Sequence, residues 1–190
     1  MTDIRRLAGW ALLSASLLVT VASAVEDEQR VEQVKAAFIV NIARFVTWPE
    51  DEGLLQPGRH LLCLYRGTFF DDAMNPLQDA KLSGQRLQVI EIQRMDQSDA
   101  CTILFLSNDE LASFQGELPM DWQRPLLTIL DRTDKVETDG LSRRGVMVSM
   151  VRDGTRIALE VDLAQTRKAG LAMSSHLLKL VRIVGAEAKP

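Results

Sequence analysis

Three short, unbroken apolar runs constrain the fold of this chain more than any other feature. They read LLCLY over residues 61–65, CTILFL over residues 101–106 and PLLTIL over residues 125–130. Each run has the length of a strand and no polar face, which is typical of a strand buried on both faces of a sheet. Such strands occur in parallel sheets that helices cover on both sides, so the sequence predicts an α/β core.

Helical patterns alternate with these runs. Residues 32–46 carry apolar side chains at helical spacing, and Pro49 follows them. The predicted stripe consists of Val34, Phe38, Ile42 and Phe45. Further helices are predicted over residues 71–77, over 110–114 with Asn108 or Asp109 as N-cap, over 163–169, and from an N-cap at Ser174 or Ser175 through Val184 to Gly185.

A β-hairpin is predicted near the C-terminal end. Two strand-like runs, residues 146–151 and 156–161, flank Asp153 and Gly154, and an Asp-Gly pair between strands is a strong hairpin signal. Residues 87–92 also have a strand-like period of two. Together these patterns predict one compact α/β domain: a mixed, mostly parallel sheet flanked by helices, with a hairpin near its end.

The N-terminus has the pattern of a cleavable secretory signal. Arg5 and Arg6 precede the apolar residues 7–21, and Ala22-Ser23-Ala24 follows at the cleavage position. A retained membrane anchor is the alternative, but the apolar run is about 15 residues and a membrane span needs about 20. We therefore expect residues 1–24 to be a signal peptide and residues 25–190 to be a periplasmic domain that does not span the membrane.

The chain has two cysteines, Cys63 and Cys101. In a compartment that oxidises thiols, one disulfide is the expected product, and two buried free thiols are the alternative. A disulfide between Cys63 and Cys101 would close a loop of about 40 residues and stabilise the domain by about 4 kcal/mol in the chain-entropy model. No CxxC motif is present, and the histidine spacing does not suggest a metal site.

Composition and motifs argue against several functions. Lys and Arg number 22 against 26 for Asp and Glu, a net charge of −4 without a basic cluster, so a nucleic-acid partner is not expected. The chain contains no GxSxG, HExxH, P-loop or GxGxxG motif. His60 and His176 are expected in capping, packing or surface roles. We expect no enzyme activity, no metal and no cofactor.

Two residues are open to a structural or a functional interpretation. Glu160 interrupts an apolar strand, where it either faces solvent or anchors the rim of a partner-binding surface. Trp48 either covers the first helix or forms an exposed aromatic contact, and the neighbouring Phe38 and Phe45 favour the covering role.

Two longer motifs and the cysteine pair together resemble one known family. Residues 34–49 read VKAAFIVNIARFVTWP and match the pattern KAAFxxNxxxFVxWP. Residues 159–184 read LEVDLAQTRKAGLAMSSHLLKLVRIV, in which an acidic strand end, AGL, SS and LLKLxRIV follow in order. With the Cys63 and Cys101 pair, they resemble the YfiR family, also called HmsC-like, over residues 30–185.

The resemblance implies a compact α/β domain that forms homodimers and acts as a periplasmic regulator. The best-known member binds the periplasmic part of YfiN, an inner-membrane diguanylate cyclase, and represses it; release raises cyclic di-GMP and promotes biofilm. The resemblance also implies a structural disulfide between Cys63 and Cys101 and makes Glu160 a candidate partner contact. Some members carry a second cysteine pair before the last strand, and this chain does not.

We therefore expect a periplasmic protein that binds and represses an inner-membrane signalling protein, a diguanylate cyclase in the first instance. The alternative is a periplasmic small-molecule-binding subunit for a sensor kinase or an outer-membrane transporter. The polar segment 131–144 is expected to be a loop, either a contact or a spacer.

Overall fold

The computed structural model describes residues 30–49, 60–67, 77, 80–82, 84–134 and 143–185. The predicted signal peptide, all of the predicted helix 71–77 except Leu77, and most of the polar segment 131–144 lie outside the described residues.

A seven-stranded sheet forms the centre of the fold. The strands are β1 (Val46–Thr47), β2 (Leu61–Tyr65), β3 (Lys81–Leu82), β4 (Gln85–Arg86), β5 (Gln88–Ile92), β6 (Ile103–Ser107), β7 (Leu127–Arg132), β8 (Val148–Asp153), β9 (Arg156–Asp162), β10 (Ala172–Met173) and β11 (Arg182–Val184). The central sheet has the order β11-β9-β8-β7-β6-β2-β5, and β1-β10 and β3-β4 form two small antiparallel pairs.

The strand directions confirm the predicted α/β class. Strands β5, β2, β6, β7 and β8 are parallel, β8 and β9 form an antiparallel hairpin, and β11 runs parallel to β9. The three apolar runs became β2, β6 and β7, whose side chains are almost all buried. Continuous burial is the reason that these runs lack a polar face.

Helices lie between the strands along the chain. They are α1 over residues 30–44, α2 (Leu111–Glu117), α3 (Leu163–Lys168) and α4 (Ser175–Leu178). Successive side chains of each strand point to opposite faces of the sheet and belong to two apolar clusters. Ile103 and Ile129 pack in the cluster that includes α1. Leu104 and Leu130 pack in the cluster that includes Phe114 of α2. Both faces of the central strands of the sheet are therefore buried.

The buried face of α1 differs from the predicted stripe. Ile42 is buried as expected, but Val34 is exposed and Phe38 is partly exposed. The face against the sheet is formed by Ala36, Ile39, Val40, Ile42 and Ala43. The alanines explain the difference, because a helix approaches a sheet most closely along its small side chains.

The predictions for two other helices also need correction. The predicted helix 110–114 is observed as α2, but its N-cap is Glu110, without a side-chain hydrogen bond, so the prediction of Asn108 or Asp109 was wrong. The predicted C-terminal helix begins with Ser174 as its N-cap, yet it ends at Leu178. Residues Arg182–Val184 form β11 instead, because β-branched residues favour strands and β9 offers a backbone edge.

Candidate functional site

One disulfide joins Cys63 of β2 to Cys101, which lies just before β6. Their Cα atoms are 5.9 Å apart because β2 and β6 are adjacent parallel strands. Both residues are buried in the cluster on the α2 side of the sheet. The pairing agrees with the prediction, and burial within the core is consistent with a structural role.

Glu160 occupies a position that its sequence context did not reveal. It lies in the middle of β9, opposite Ser149 of β8 on one side and Arg182 of β11 on the other. Its relative exposure is only 4%, so it does not face solvent. An unpaired carboxylate at such a position would be strongly unfavourable, so its partners determine what it does.

Two arginines neutralise the Glu160 carboxylate. Oε2 accepts a hydrogen bond from Nη1 of Arg143 at 2.6 Å, and Oε1 accepts one from Nη1 of Arg182 at 3.1 Å. Arg182 reaches it from the residue directly in register on β11. Because two guanidinium groups contact one carboxylate, the three side chains together carry a net positive charge. Both arginines are more exposed than Glu160.

Two exposed apolar side chains lie close to Arg182 in the sequence. Leu180 is 71% exposed and Ile183 is 40% exposed. Strand β11 ends the described sheet order, so its outer edge has no strand neighbour within that sheet. An edge strand with exposed apolar residues is a surface on which a partner chain can bind. We name Arg143, Leu180, Arg182 and Ile183, together with the buried Glu160 that binds the two arginines, the C-terminal edge surface.

Helix caps and one glycine position the C-terminal edge surface. Asp162 caps α3 by accepting a hydrogen bond from the Gln165 N–H at 3.0 Å. Ser174 caps α4, and its own N–H donates to the Phe45 carbonyl at 2.9 Å. Gly185, at φ +99°, ends β11 where a Cβ atom would lie 2.8 Å from the Asp162 carboxylate. A residue without a side chain is required there.

A second buried charged group connects α1 to the central sheet. Lys35 Nζ lies 2.8 Å from Asp131 Oδ2 and 2.7 Å from Glu32 Oε1. Asp131 Oδ1 also accepts hydrogen bonds from the N–H and hydroxyl of Thr133, at 2.9 and 2.7 Å. Burial alone would lower the pKa of Lys35, but the hydrogen bonds to Asp131 and Glu32 raise it above the ordinary value. The ammonium group is therefore kept charged in the interior.

Trp48, His60 and His176 take part in packing contacts. Trp48 is partly buried against the α1 side of the core, as the covering interpretation predicts, and its ring centroid is 5.4 Å from that of His60. The His176 ring packs 5.5 Å from Phe45. In the described part of the chain, no group of three or more His, Cys, Asp or Glu residues is arranged to hold a metal ion. None of the described helices has the length and apolar character of a membrane span.

Arg143 and Arg182, the partners of Glu160, and Lys35 were not predicted from the sequence. A signal for Lys35 existed, because it shares a helix face with Ile39 and Ile42 at spacings of four and seven. No comparable signal existed for the arginines, because the register between β9 and β11 brings Arg182 to Glu160 and the tertiary fold brings in Arg143 from the segment before β8.

Comparison with known proteins identifies a family. A search of curated proteins finds no significant match to the chain. The family model described as YfiR/HmsC-like matches residues 32–182, a span that runs from α1 to the first residue of β11. The matched span contains all of the motif at residues 34–49 and nearly all of the motif at residues 159–184. It also contains Cys63, Cys101 and Glu160. This chain therefore belongs to the YfiR/HmsC-like family.

Proposed function

We propose that this protein is a periplasmic regulator that binds an inner-membrane diguanylate cyclase and represses it, which limits cyclic di-GMP and biofilm formation. Membership of the YfiR/HmsC-like family supports a role in cyclic di-GMP signalling. The observation that carries the proposal is the C-terminal edge surface, where exposed Leu180 and Ile183 accompany two arginines held by Glu160.

Export to the periplasm is part of the proposal. The sequence pattern of residues 1–24 supports it, and so does a disulfide in the core, since disulfides persist in oxidising compartments. The mature N-terminus would then be Val25, which mass spectrometry of the periplasmic protein can check.

Repression in this proposal needs binding and no catalysis. A regulator shifts the equilibrium of a receptor only by binding one of its states more tightly than the other. To move a cyclase from about 99% active to about 99% inactive, the difference must be about 10⁴-fold, or about 5.5 kcal/mol. A few well-packed apolar contacts and a desolvated arginine can supply a difference of that size, because hot-spot residues contribute about 2 kcal/mol or more each.

Glu160 has an indirect role in this mechanism. Its carboxylate is buried, so it contacts Arg143 and Arg182 and holds their guanidinium groups in place. The arginines and the apolar side chains then meet the partner. Like other members of its family, the protein is also proposed to form a homodimer, which sedimentation velocity can test.

The direct test measures cyclic di-GMP in cells that lack the protein. Deletion should raise the nucleotide, and the wild-type gene should restore the low level. The Leu180→Glu variant should fail to restore it, because a charge would be placed at the most exposed apolar position of the surface. Met120→Glu is the matched control: Met120 is 85% exposed and lies outside the C-terminal edge surface, so this variant should repress normally.

A crosslinking pull-down identifies the partner. With residues 25–190 as bait, the wild-type protein should recover an inner-membrane protein with a cyclase domain, and Leu180→Glu should lose it. Recovery of a sensor kinase or an outer-membrane transporter instead would replace the cyclase with a different client. Unchanged cyclic di-GMP after deletion would contradict the proposed function.

A further inference from the structure

The order of the parallel strands marks a position at which sheets of this kind bind ligands. From β2 the chain continues to β5 on one side of β2, and it then crosses to β6 on the other side. In open α/β sheets, ligands bind outside the carboxyl ends of the strands at such a reversal of strand order. Here the carboxyl end of β2 is formed by Tyr65, followed by Arg66.

A carboxylate of the chain itself occupies this position. The side chain of Glu117, the last residue of α2, accepts three hydrogen bonds there. Its Oε1 accepts one from the Tyr65 hydroxyl at 2.9 Å and one from Nη2 of Arg66 at 2.7 Å, and its Oε2 accepts one from the Met95 N–H at 2.7 Å. Tyr65 ends β2, Arg66 follows it, and Met95 lies in the segment after β5. Glu117 belongs to a different element, α2.

Two of the three donors, Arg66 and Tyr65, also have contacts other than Glu117. Arg66 donates its own N–H to the Ile92 carbonyl at 2.8 Å and its Nε–H to the Gln93 carbonyl at 2.9 Å. Tyr65 is fully buried, and its ring packs edge to face on Phe114. The side chains of Arg66 and Glu117 are about one-third and one-quarter exposed, so solvent reaches the site from the outside.

We propose that the Tyr65 hydroxyl, the Arg66 guanidinium and the Met95 N–H form a receptor for a small carboxylate ligand, and that Glu117 occupies it in the ligand-free protein. The three donors bind the two oxygens of the Glu117 carboxylate. The carboxylate of a small ligand could accept the same hydrogen bonds. The ligand binds by displacing Glu117. This inference does not depend on the proposed regulatory function.

Displacement has a structural consequence that can be measured. Glu117 is the C-terminal residue of α2, so its release frees the end of this helix from β2 and from Met95. Phe114 of α2 packs edge to face against Trp122, with ring centroids 6.4 Å apart. A movement of α2 therefore changes the surroundings of Trp122 and its fluorescence.

The test titrates the purified protein with sodium acetate, with sodium chloride at equal ionic strength as the salt control. Glu117→Ala removes the internal carboxylate and leaves the three donors, so acetate should raise its thermal midpoint. Half-saturation should come at an acetate concentration roughly tenfold or more below that of the wild type, because Glu117 competes at a high effective concentration. Glu117→Gln should fall between the wild type and Glu117→Ala, because its amide oxygen accepts hydrogen bonds whereas its amide nitrogen only donates and so leaves part of the donor set unpaired.

Two further variants make the test specific. Glu110→Ala is the matched control, since Glu110 Oε2 lies 3.7 Å from Nη1 of Arg66 and is not bound by the other two donors. It should leave the acetate response at the wild-type level. In the wild type, acetate should change the tryptophan emission, and Trp122→Phe should remove that change.

A Glu117→Ala protein that folds and responds to acetate no more than to chloride would overturn the proposal. If Glu117→Ala does not fold, the wild-type titration decides: an acetate-specific change in Trp122 emission supports the receptor, and its absence at every acetate concentration that leaves the fold intact refutes it.

Discussion

Replacing Lys35 by Met tests the buried charged group that connects α1 to β7. Lys35 is 3% exposed and Asp131 is 7% exposed, so the substitution leaves the Asp131 carboxylate buried without its cation. Removing one partner of a buried ion pair costs about 3–5 kcal/mol. Asp131 keeps its two hydrogen bonds from Thr133, so we expect the lower end, about 3 kcal/mol.

Urea denaturation followed by circular dichroism measures this loss. With a slope of about 2 kcal/mol per M, the midpoint should fall by about 1.5 M. Lys81→Met is the control, because Lys81 is exposed, and surface substitutions of this kind usually change stability by less than about 0.5 kcal/mol. The double variant Lys35→Met with Asp131→Asn should recover part of the loss, since no buried carboxylate is left without a cation at residue 131.

The pH dependence supplies a second readout of the same group. Because the pKa of Lys35 is raised above its ordinary value of 10.5, the stability that it contributes is complete below pH 10.5. That stability is lost as the pH rises through the raised folded-state pKa, and Lys35→Met should remove this part of the alkaline decline. A cost below about 1 kcal/mol for Lys35→Met would refute the reasoning, because it would show that the charges are not buried in solution.

Three further predictions concern the disulfide, the single tyrosine and one glycine. Reduction of the bond between Cys63 and Cys101, whose sequence separation is 38, should lower the free energy of unfolding by about 4 kcal/mol in urea; a loss under about 1 kcal/mol would contradict the loop-entropy estimate. Burial and the Glu117 carboxylate raise the pKa of Tyr65 to about 12, so its phenolate absorbance should appear near that pH in the folded protein and near pH 10 in urea. The stability from Tyr65 is complete below about pH 10 and is lost as the pH rises through about 12, and a folded-state midpoint near 10 would contradict the burial. Gly145→Ala should destabilise more than Gly154→Ala: both have positive φ, but only at residue 145 does a Cβ atom approach a side chain, at 2.4 Å from Leu118 Cδ1; equal losses in thermal unfolding would contradict this.

Local sequence signals predicted most of the sheet correctly. The runs 61–65, 101–106 and 125–130 are apolar because both faces of their strands are buried, and this cause acts within the run itself. The hairpin predicted from Asp153 and Gly154 depends on a two-residue turn, which is also local, although the turn residues are Gly154 and Thr155 and Asp153 ends β8. The last helix was predicted too long because residues 182–184 pair with β9, a contact that helical spacing cannot reveal.

The sequence by itself determined the α/β class, the cysteine pair and the two motifs that resemble the YfiR family, because each depends on residue types and short spacings. Only the tertiary structure decided the sites. It placed Arg143 and Arg182 on Glu160, Lys35 on Asp131, and Tyr65 with Arg66 around Glu117, across sequence separations of 17 to 96 residues. Strand register and helix packing create these contacts, because the cost of burying a charge is met only where the fold brings its partner within hydrogen-bond distance.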